Sequence, residues 1–255
     1  MNVTGNTIFI PGSTSGIGLA LATELSARGN RVVIGGRRTD KLDEITAAYP
    51  QMEAVRIDIA DPDSVTTASI EVLQRCPDLN VVIAMAGVMR VEDWHHPESF
   101  LDSAQQVINT NVLGPIRLLA AFVEHLQSRP NATFVTVSSG LAFAPLKVVP
   151  SYNASKAAIH MLTESLRLQL ADTSIKLLEL VPPSVATDLL PGQRDSDIAM
   201  PVEEFVDQVL TIIESQPEAR EILVDRVKVL RYAEAHGDYQ HVVAALNASD
   251  PHARP

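Results

Sequence analysis

A chain of 255 residues, 46% of them hydrophobic, is long enough to bury a sizeable core and too apolar to stay disordered. Its formal net charge of −11 argues against nucleic acid or an anionic membrane surface as the main partner, because both reward a basic face. The single cysteine, Cys76, excludes a disulfide framework or cysteine-rich zinc site and fits a reducing, cytoplasmic setting, and no stretch holds the roughly 18 apolar residues that span a bilayer.

Thr7 to Ile10 is a short β-prone run that breaks at Pro11-Gly12. The segment GSTSGIG follows, and then LALATELSARG, whose leucines and alanines recur at helical spacing as far as Gly29. Arg31 to Ile34 is the next strand, closed by Gly35-Gly36, which completes a βαβ unit. Lys41 to Tyr49 reads as helix, Ala54 to Ile59 as a third strand, and Pro62 to Gln74 as helix. Asn80 to Gly87 is apolar on both faces, as a fully buried parallel strand should be. A long helix over Ser103 to Gln127, a strand over Ala132 to Ser139, a helix carrying Tyr152 as far as Leu170 and a strand over Lys176 to Val181 continue the alternation. The stretch 188–200 is the most loop-like and suits a substrate loop; beyond it, Pro201 to Ser215 is an amphipathic helix. In the C-terminal extension 218–255, Glu221 to Asp225 reads as a last strand, Val229 to Leu246 as a helical tail and SDPHARP as a frayed end. Roughly six or seven strands alternating with helices predict an α/β fold, a doubly wound parallel sheet between two helical layers, in a single domain over 1–255.

Tyr152 and Lys156 are four residues apart on a helix, so phenol and ammonium share one face. A tyrosine of pKa about 10 needs about 4 kcal/mol of phenolate stabilisation to work near pH 7. A cation at about 4 Å supplies that at an effective dielectric of about 20. Ser139, at a strand end, can face Tyr152 and hold a substrate oxygen. Gly12, Gly16 and Gly18 lie between strand and helix, where a pyrophosphate meets backbone N–H groups, so Gly12, Ser13, Thr14, Ser15, Gly16, Ile17 and Gly18 are candidate nucleotide ligands. Arg37 and Arg38, after the second strand, stand where an acidic residue would bind the adenosine ribose; two guanidiniums suit a 2′-phosphate, and otherwise are solvated turn residues. Asp58 ends the third strand beside Ile59, placed for the adenine, although such an aspartate often only forms a turn. Asn111 precedes Gly114-Pro115 in mid-helix, which predicts a kink that frees backbone groups for water or Lys156. His95-His96 reads as a solvated pair, so no metal is expected, and no G-x-S-x-G elbow surrounds any serine.

Together PGSTSGIG, NTNVLGP, Ser139, Tyr152-N-A-S-Lys156 and VPPSVAT resemble the short-chain dehydrogenase/reductase family in its compact single-domain Rossmann form. The GRR turn and PPSVATDL segment look most like the bacterial oxidoreductases named for the D-alanine esterification operon. The resemblance implies Tyr152 as acid/base, Ser139 as substrate-oxygen ligand, Lys156 as activator and ribose ligand, and Asn111 as water-relay residue. It also implies that Ala86 and Gly87 pack beside the adenosine ribose and that Pro182, Val185 and Thr187 line the nicotinamide pocket. Pro11, Ala84-Met85 and Pro183 depart from the family's pattern, the first two by removing side-chain ties around the sheet. Arg37 makes NADP(H) the expected cofactor, and NAD(H) stays open because Ser15 stands where NADP-preferring members often carry a basic residue. The expected function is hydride transfer between nicotinamide and a small carbonyl/alcohol substrate, apolar because Leu141 to Val149 and Leu189-Leu190 are its lining candidates. The alternative is a non-catalytic dinucleotide-binding sensor or scaffold. A homodimer or homotetramer, joined through the helices of Asn111 and Tyr152, is implied by the same resemblance.

Overall fold

The computed structural model describes residues 1–249. Seven strands form one sheet: β1 (Thr7–Pro11), β2 (Arg31–Gly36), β3 (Glu53–Arg56), β4 (Val81–Ile83), β5 (Thr133–Val137), β6 (Lys176–Leu180) and β7 (Glu221–Ile222). Every pairing is parallel, in the order β3-β2-β1-β4-β5-β6-β7. The helices are α1 (Gly16–Ala27), α2 (Thr39–Ala48), α3 (Pro62–Arg75), α4 (Pro97–Ile108), α5 (Gly114–Gln127), α6 (Pro150–Gln169), α7 (Val202–Ser215), α8 (Asp225–Arg231) and α9 (Tyr239–Ser249).

Side chains alternate across a strand, so each strand feeds two cores. From β1, Ile8 and Ile10 join Leu21 and Leu25 of α1 and Phe205 and Val209 of α7 on one face. Phe9 points the other way, into a cluster with Val72 of α3 and Phe122 and Leu126 of α5. Because both faces are covered, β1 is buried at every position, which is why its sequence shows no polar alternation.

Several boundaries differ from the sequence expectation. β3 stops at Arg56 and β4 at Ile83, because the chain then leaves the ladder to line a cleft. In place of a proline kink, the long helix begins at Pro97 and is interrupted by a π-turn, Asn109–Leu113. Pro115 follows directly and, having no N–H, cannot make a helical backbone bond where the π-turn runs into α5. The last strand is only two residues long, and the helical tail is two helices parted by a turn at Gly237 (φ +76°). Of the segment expected to fray, 250–255 lie outside the described residues.

By length and composition Pro97–Gln127 could cross a bilayer. Part of that apolarity faces the protein, since Val107, Leu118, Phe122 and Leu126 are buried; Leu101, Ile108, Leu113 and Ile116 are exposed.

Candidate active site

β1 lies between β2 and β4, so the connections run off to opposite sides at its C-terminal end and open a crevice there. The crevice is a cavity of about 650 Å³. Gly12, Thr14, Ser15, Gly16, Ile17 and Gly18 form one end, followed by Arg37, Arg38, Asp58 and Ile59. Ala86, Gly87, Pro182, Val185 and Thr187 continue the wall to Ser139, Tyr152 and Lys156.

The glycine loop is tight because the chain crowds it. Gly12 has φ +97°, and a β-carbon there would lie 2.3 Å from the Ala86 nitrogen; one at Gly18 would lie 2.3 Å from the Gly12 carbonyl oxygen. Gly16 (φ +56°) faces Thr187, so the loop abuts the far wall. Ser15 caps α1 without a side-chain hydrogen bond, and Gly16, Ile17 and Gly18 of its first turn line the crevice, so the helix N-terminus borders it as suits a phosphate. These features fit a dinucleotide.

Two predicted site residues stand behind the wall. Ser13 is fully buried; its hydroxyl donates to the Ile10 carbonyl (2.5 Å) and accepts from the Gly35 amide (3.2 Å), so it braces β1 against β2 and is unavailable to a nucleotide. Asn111 is buried in the π-turn, where its side chain accepts from the Val88 amide (2.8 Å) and donates to the Val88 carbonyl (2.9 Å) and Ser155 Oγ (3.1 Å). This side chain grips the exit of β4. The grip and the Ala86 amide's bond to the Pro11 carbonyl (2.9 Å) supply ties where the departures at Pro11 and Ala84 remove others. Asp58 lines the crevice, and its carboxylate accepts from the Ala60 amide (3.0 Å) in a local turn. Arg38 Nη2 donates to Thr14 Oγ1 (3.0 Å), while Arg37 is exposed at the rim.

Tyr152 and Lys156 are both buried, at 6% and 5% exposure. Burial disfavours each charged form. It pushes the Tyr152 phenol up to about 12, the neighbouring Ser139 hydroxyl pulling the other way, and it brings the Lys156 ammonium down to about 8. In the free chain Lys156 Nζ lies 5.5 Å from the Tyr152 ring centroid and donates to the Val137 carbonyl (2.8 Å). Ser139 caps the short 3₁₀ turn Gly140–Ala142, its Oγ accepting from the Leu141 amide (3.1 Å).

Met89, Leu146, Val148, Val149 and Leu190 pack around Tyr152. α9 fastens this loop from behind: Asn247 accepts from the Lys147 amide (2.7 Å) and donates to the Pro145 carbonyl (3.0 Å). Met89, Arg90, Thr110, Pro183 and Gln193 also line the crevice and escaped the sequence reading, although Met89 and Arg90 directly extend the Ala86-Gly87 segment. Gln193 ties the 188–200 loop to the Val185 carbonyl (2.7 Å).

Comparison with known proteins agrees with this geometry. A family model described as short chain dehydrogenase matches residues 6–197. The uncharacterized oxidoreductase DltE of Bacillus subtilis (strain 168) is 36% identical over 256 residues, covering 98% of this chain and 100% of its own. A short chain dehydrogenase from Burkholderia cenocepacia J2315, solved in complex with NADP, aligns at TM-score 0.80 and 27% identity, over 96% of this chain and 99% of its own. An alcohol dehydrogenase from Thermococcus sibiricus, complexed with 5-hydroxy-NADP, shares the fold at TM-score 0.76 and 24% identity, over 86% of this chain and 96% of its own. With a parallel sheet, a glycine loop at its switch point and these relatives, the chain belongs to the short chain dehydrogenase family and is an NAD(P)-dependent oxidoreductase.

Proposed function

We propose that the protein interconverts a carbonyl and an alcohol with NADP(H), and that Tyr152 exchanges the proton. The observation that carries this reading is that Ser139, Tyr152 and Lys156 border the same crevice as the glycine loop, so a dinucleotide laid along it ends beside a proton donor. The residues that would hold it are the 12–18 loop without Ser13, Asp58, Ile59, Ala86, Gly87, Lys156, Pro182, Val185 and Thr187. Hydride chemistry is supplied by the nicotinamide when it is bound. A phenol of pKa about 12 is protonated at neutral pH, so Tyr152 is in the right state to give its proton to a carbonyl oxygen. Ser139 holds that oxygen, and the charge of Lys156 favours the phenolate left behind. Met89 and Leu189 on the crevice wall support an apolar body for the substrate, and Arg90, exposed on the same wall, supports an anionic group at its far end.

The NADP(H) preference rests on Arg37 and Arg38 at the rim and on the NADP bound by the Burkholderia relative. Fluorescence titration should find NADPH bound at least about tenfold more tightly than NADH, about 1.4 kcal/mol. Arg37→Ala should erase that margin. Equal affinities in the unaltered protein would refute the phosphate clamp, and NADH would then be the cofactor for a screen of carbonyl compounds with and without a carboxylate.

Ile108, Leu113 and Ile116 on the π-turn helix and Met161 and Leu168 on α6 are exposed. We assign this apolar face to a homodimer or homotetramer. Light scattering at micromolar concentration should return a multiple of the 27.6 kDa chain; a monomer mass would reject the assignment.

A further inference from the structure

Glu179 is the one acid in β6, whose sequence KLLEL is otherwise apolar apart from its first residue, and its side chain is 0% exposed. Burying a carboxylate carries a heavy desolvation penalty unless its oxygens are well partnered. They are. Ser138 Oγ donates to Oε1 (2.6 Å), and His160 Nδ1 lies 3.0 Å from both oxygens. Arg167 Nη2 stands 4.0 Å from Oε2. An apolar residue would fill this strand position without such an apparatus, so the two elements that Glu179 joins become the question.

One element is the end of β5. Ser138 immediately precedes Ser139, and the next amide, Gly140, donates to the Pro182 carbonyl (3.0 Å). The other is α6. Tyr152, Lys156 and His160 are spaced four residues apart, so they rise along one face of that helix. The same face continues to Thr163, whose hydroxyl lies 2.8 Å from that of Thr136 on β5. A polar seam therefore registers α6 against β5: Lys156 to the Val137 carbonyl, His160 through Glu179 to Ser138, and Thr163 to Thr136. Glu179 is the link that holds both strand end and helix with one side chain.

The seam is backed from the C-terminal segment. Phe143 meets His160 edge-on at 4.7 Å, the Arg231 guanidinium stacks on Phe143 at 4.4 Å, and Arg231 pairs with both oxygens of Glu221 (2.7 and 3.0 Å). His160, Glu179 and Glu221 bring ligand atoms within 4.8 Å of one another, the spacing of a metal site, but Arg231, Ser138 and His160 itself already engage both carboxylates. The contact with Glu179 also raises the His160 pKa above its ordinary value, which favours the paired, protonated ring.

We propose that Glu179 is a positioning residue which, by gripping Ser138 and His160 together, sets the separation between the Ser139 hydroxyl and the Tyr152 phenol. Small displacements of reacting groups are costly, a misplacement of about 1 Å being worth about a hundredfold in rate. This rests on the proposed carbonyl/alcohol chemistry, in which Ser139 and Tyr152 touch the same oxygen.

The test is steady-state turnover of Glu179→Gln, normalised to NADPH-binding sites so that unfolded protein does not count. kcat should fall about tenfold or more while the NADPH dissociation constant stays within about twofold, because the substitution removes no bond made by the 12–18 loop or by Lys156. Ser138→Ala, which removes only the arm toward Ser139, serves if the first variant does not fold and should move kcat in the same direction. An unchanged kcat per site in the variants that fold overturns the proposal. Hydrogen exchange supplies a readout independent of activity. In either variant the segment 138–143 should exchange faster while the β1 and β4 segments do not; unaltered exchange there also overturns it. If the unaltered protein reduces no carbonyl compound, the functional reading has failed and the exchange result alone decides the positioning role.

Discussion

Replacing Tyr152 with phenylalanine is expected to lower carbonyl reduction by about a thousandfold, within the range general acid catalysis contributes. The substitution deletes one oxygen from a ring buried among Met89, Leu146 and Leu190, so packing is retained. NADPH affinity should stay within about twofold, because the glycine loop is untouched. A direction of pH dependence accompanies the loss. With the phenol at about 12, the proton-donating form prevails throughout the neutral range, whereas the proton-accepting form grows only as pH rises. In the unaltered enzyme alcohol oxidation should therefore climb through the alkaline range, while reduction should show no such climb. Turnover by Tyr152→Phe equal to that of the parent would reject the tyrosine mechanism. A protein that binds NADPH and turns over nothing in either form would favour the sensor or scaffold alternative.

Lys156→Met should abolish most turnover and at the same time make the fold more stable at pH 7. The lysine is held in the interior with its pKa brought from 10.5 down to about 8 by burial alone, a difference worth about 3 kcal/mol. Methionine loses the hydrogen bond to the Val137 carbonyl, worth about 1 kcal/mol, so the expected net gain is about 2 kcal/mol. The sign follows from which state binds the proton. Below about pH 8 both folded and unfolded chains carry it and the full cost of burying charge is present. Between about 8 and 10.5 the folded chain releases it first, so the cost declines with rising pH, and above 10.5 it is gone. Chemical denaturation at pH 7 and pH 10 should accordingly show a variant that is ahead at the lower pH and loses most of its lead at the higher. Equal stability at pH 7 would mean that the ammonium is better solvated than its 5% exposure implies. A site that sacrifices stability to hold a charged group near its reacting partner is a familiar compromise between function and stability.

The alternation of strands and helices was legible because a parallel sheet buried on both faces writes itself as apolar runs, and each glycine turn marks where such a run ends. Strand ends were less so. In NVVIAMAG the last residues are as apolar as the first, yet only Val81–Ile83 stay in the ladder; Ala86 and Gly87 line the crevice, and both departure and strand demand the same kind of side chain. The π-turn at Asn109–Leu113 was invisible for a related reason. It accompanies a grip between Asn111 and Val88, 23 residues apart in sequence, and no local propensity encodes a partner at that distance. At Tyr152, spacing reveals that a lysine is near a tyrosine but not that both are buried. Ser13 was assigned to the nucleotide with its neighbours because the loop's residue types do not distinguish the one that turns inward. Glu179 was hidden in a strand, where a single acid among leucines gives no periodic signal.

The fastening of the 145–147 backbone by Asn247 has a consequence for the order in which the molecule can be assembled. Gly12 to Gly87, from which most of the nucleotide-facing wall is built, leave a ribosome well ahead of the 145–147 segment and Asn247, and β1, β2 and β4 can pair as soon as they emerge. The 145–147 backbone on the substrate side is tied by bonds that span 100 and 102 residues, so those ties cannot form until α9 has been synthesised. A nascent chain thus carries the outline of one half of its crevice long before it owns the other.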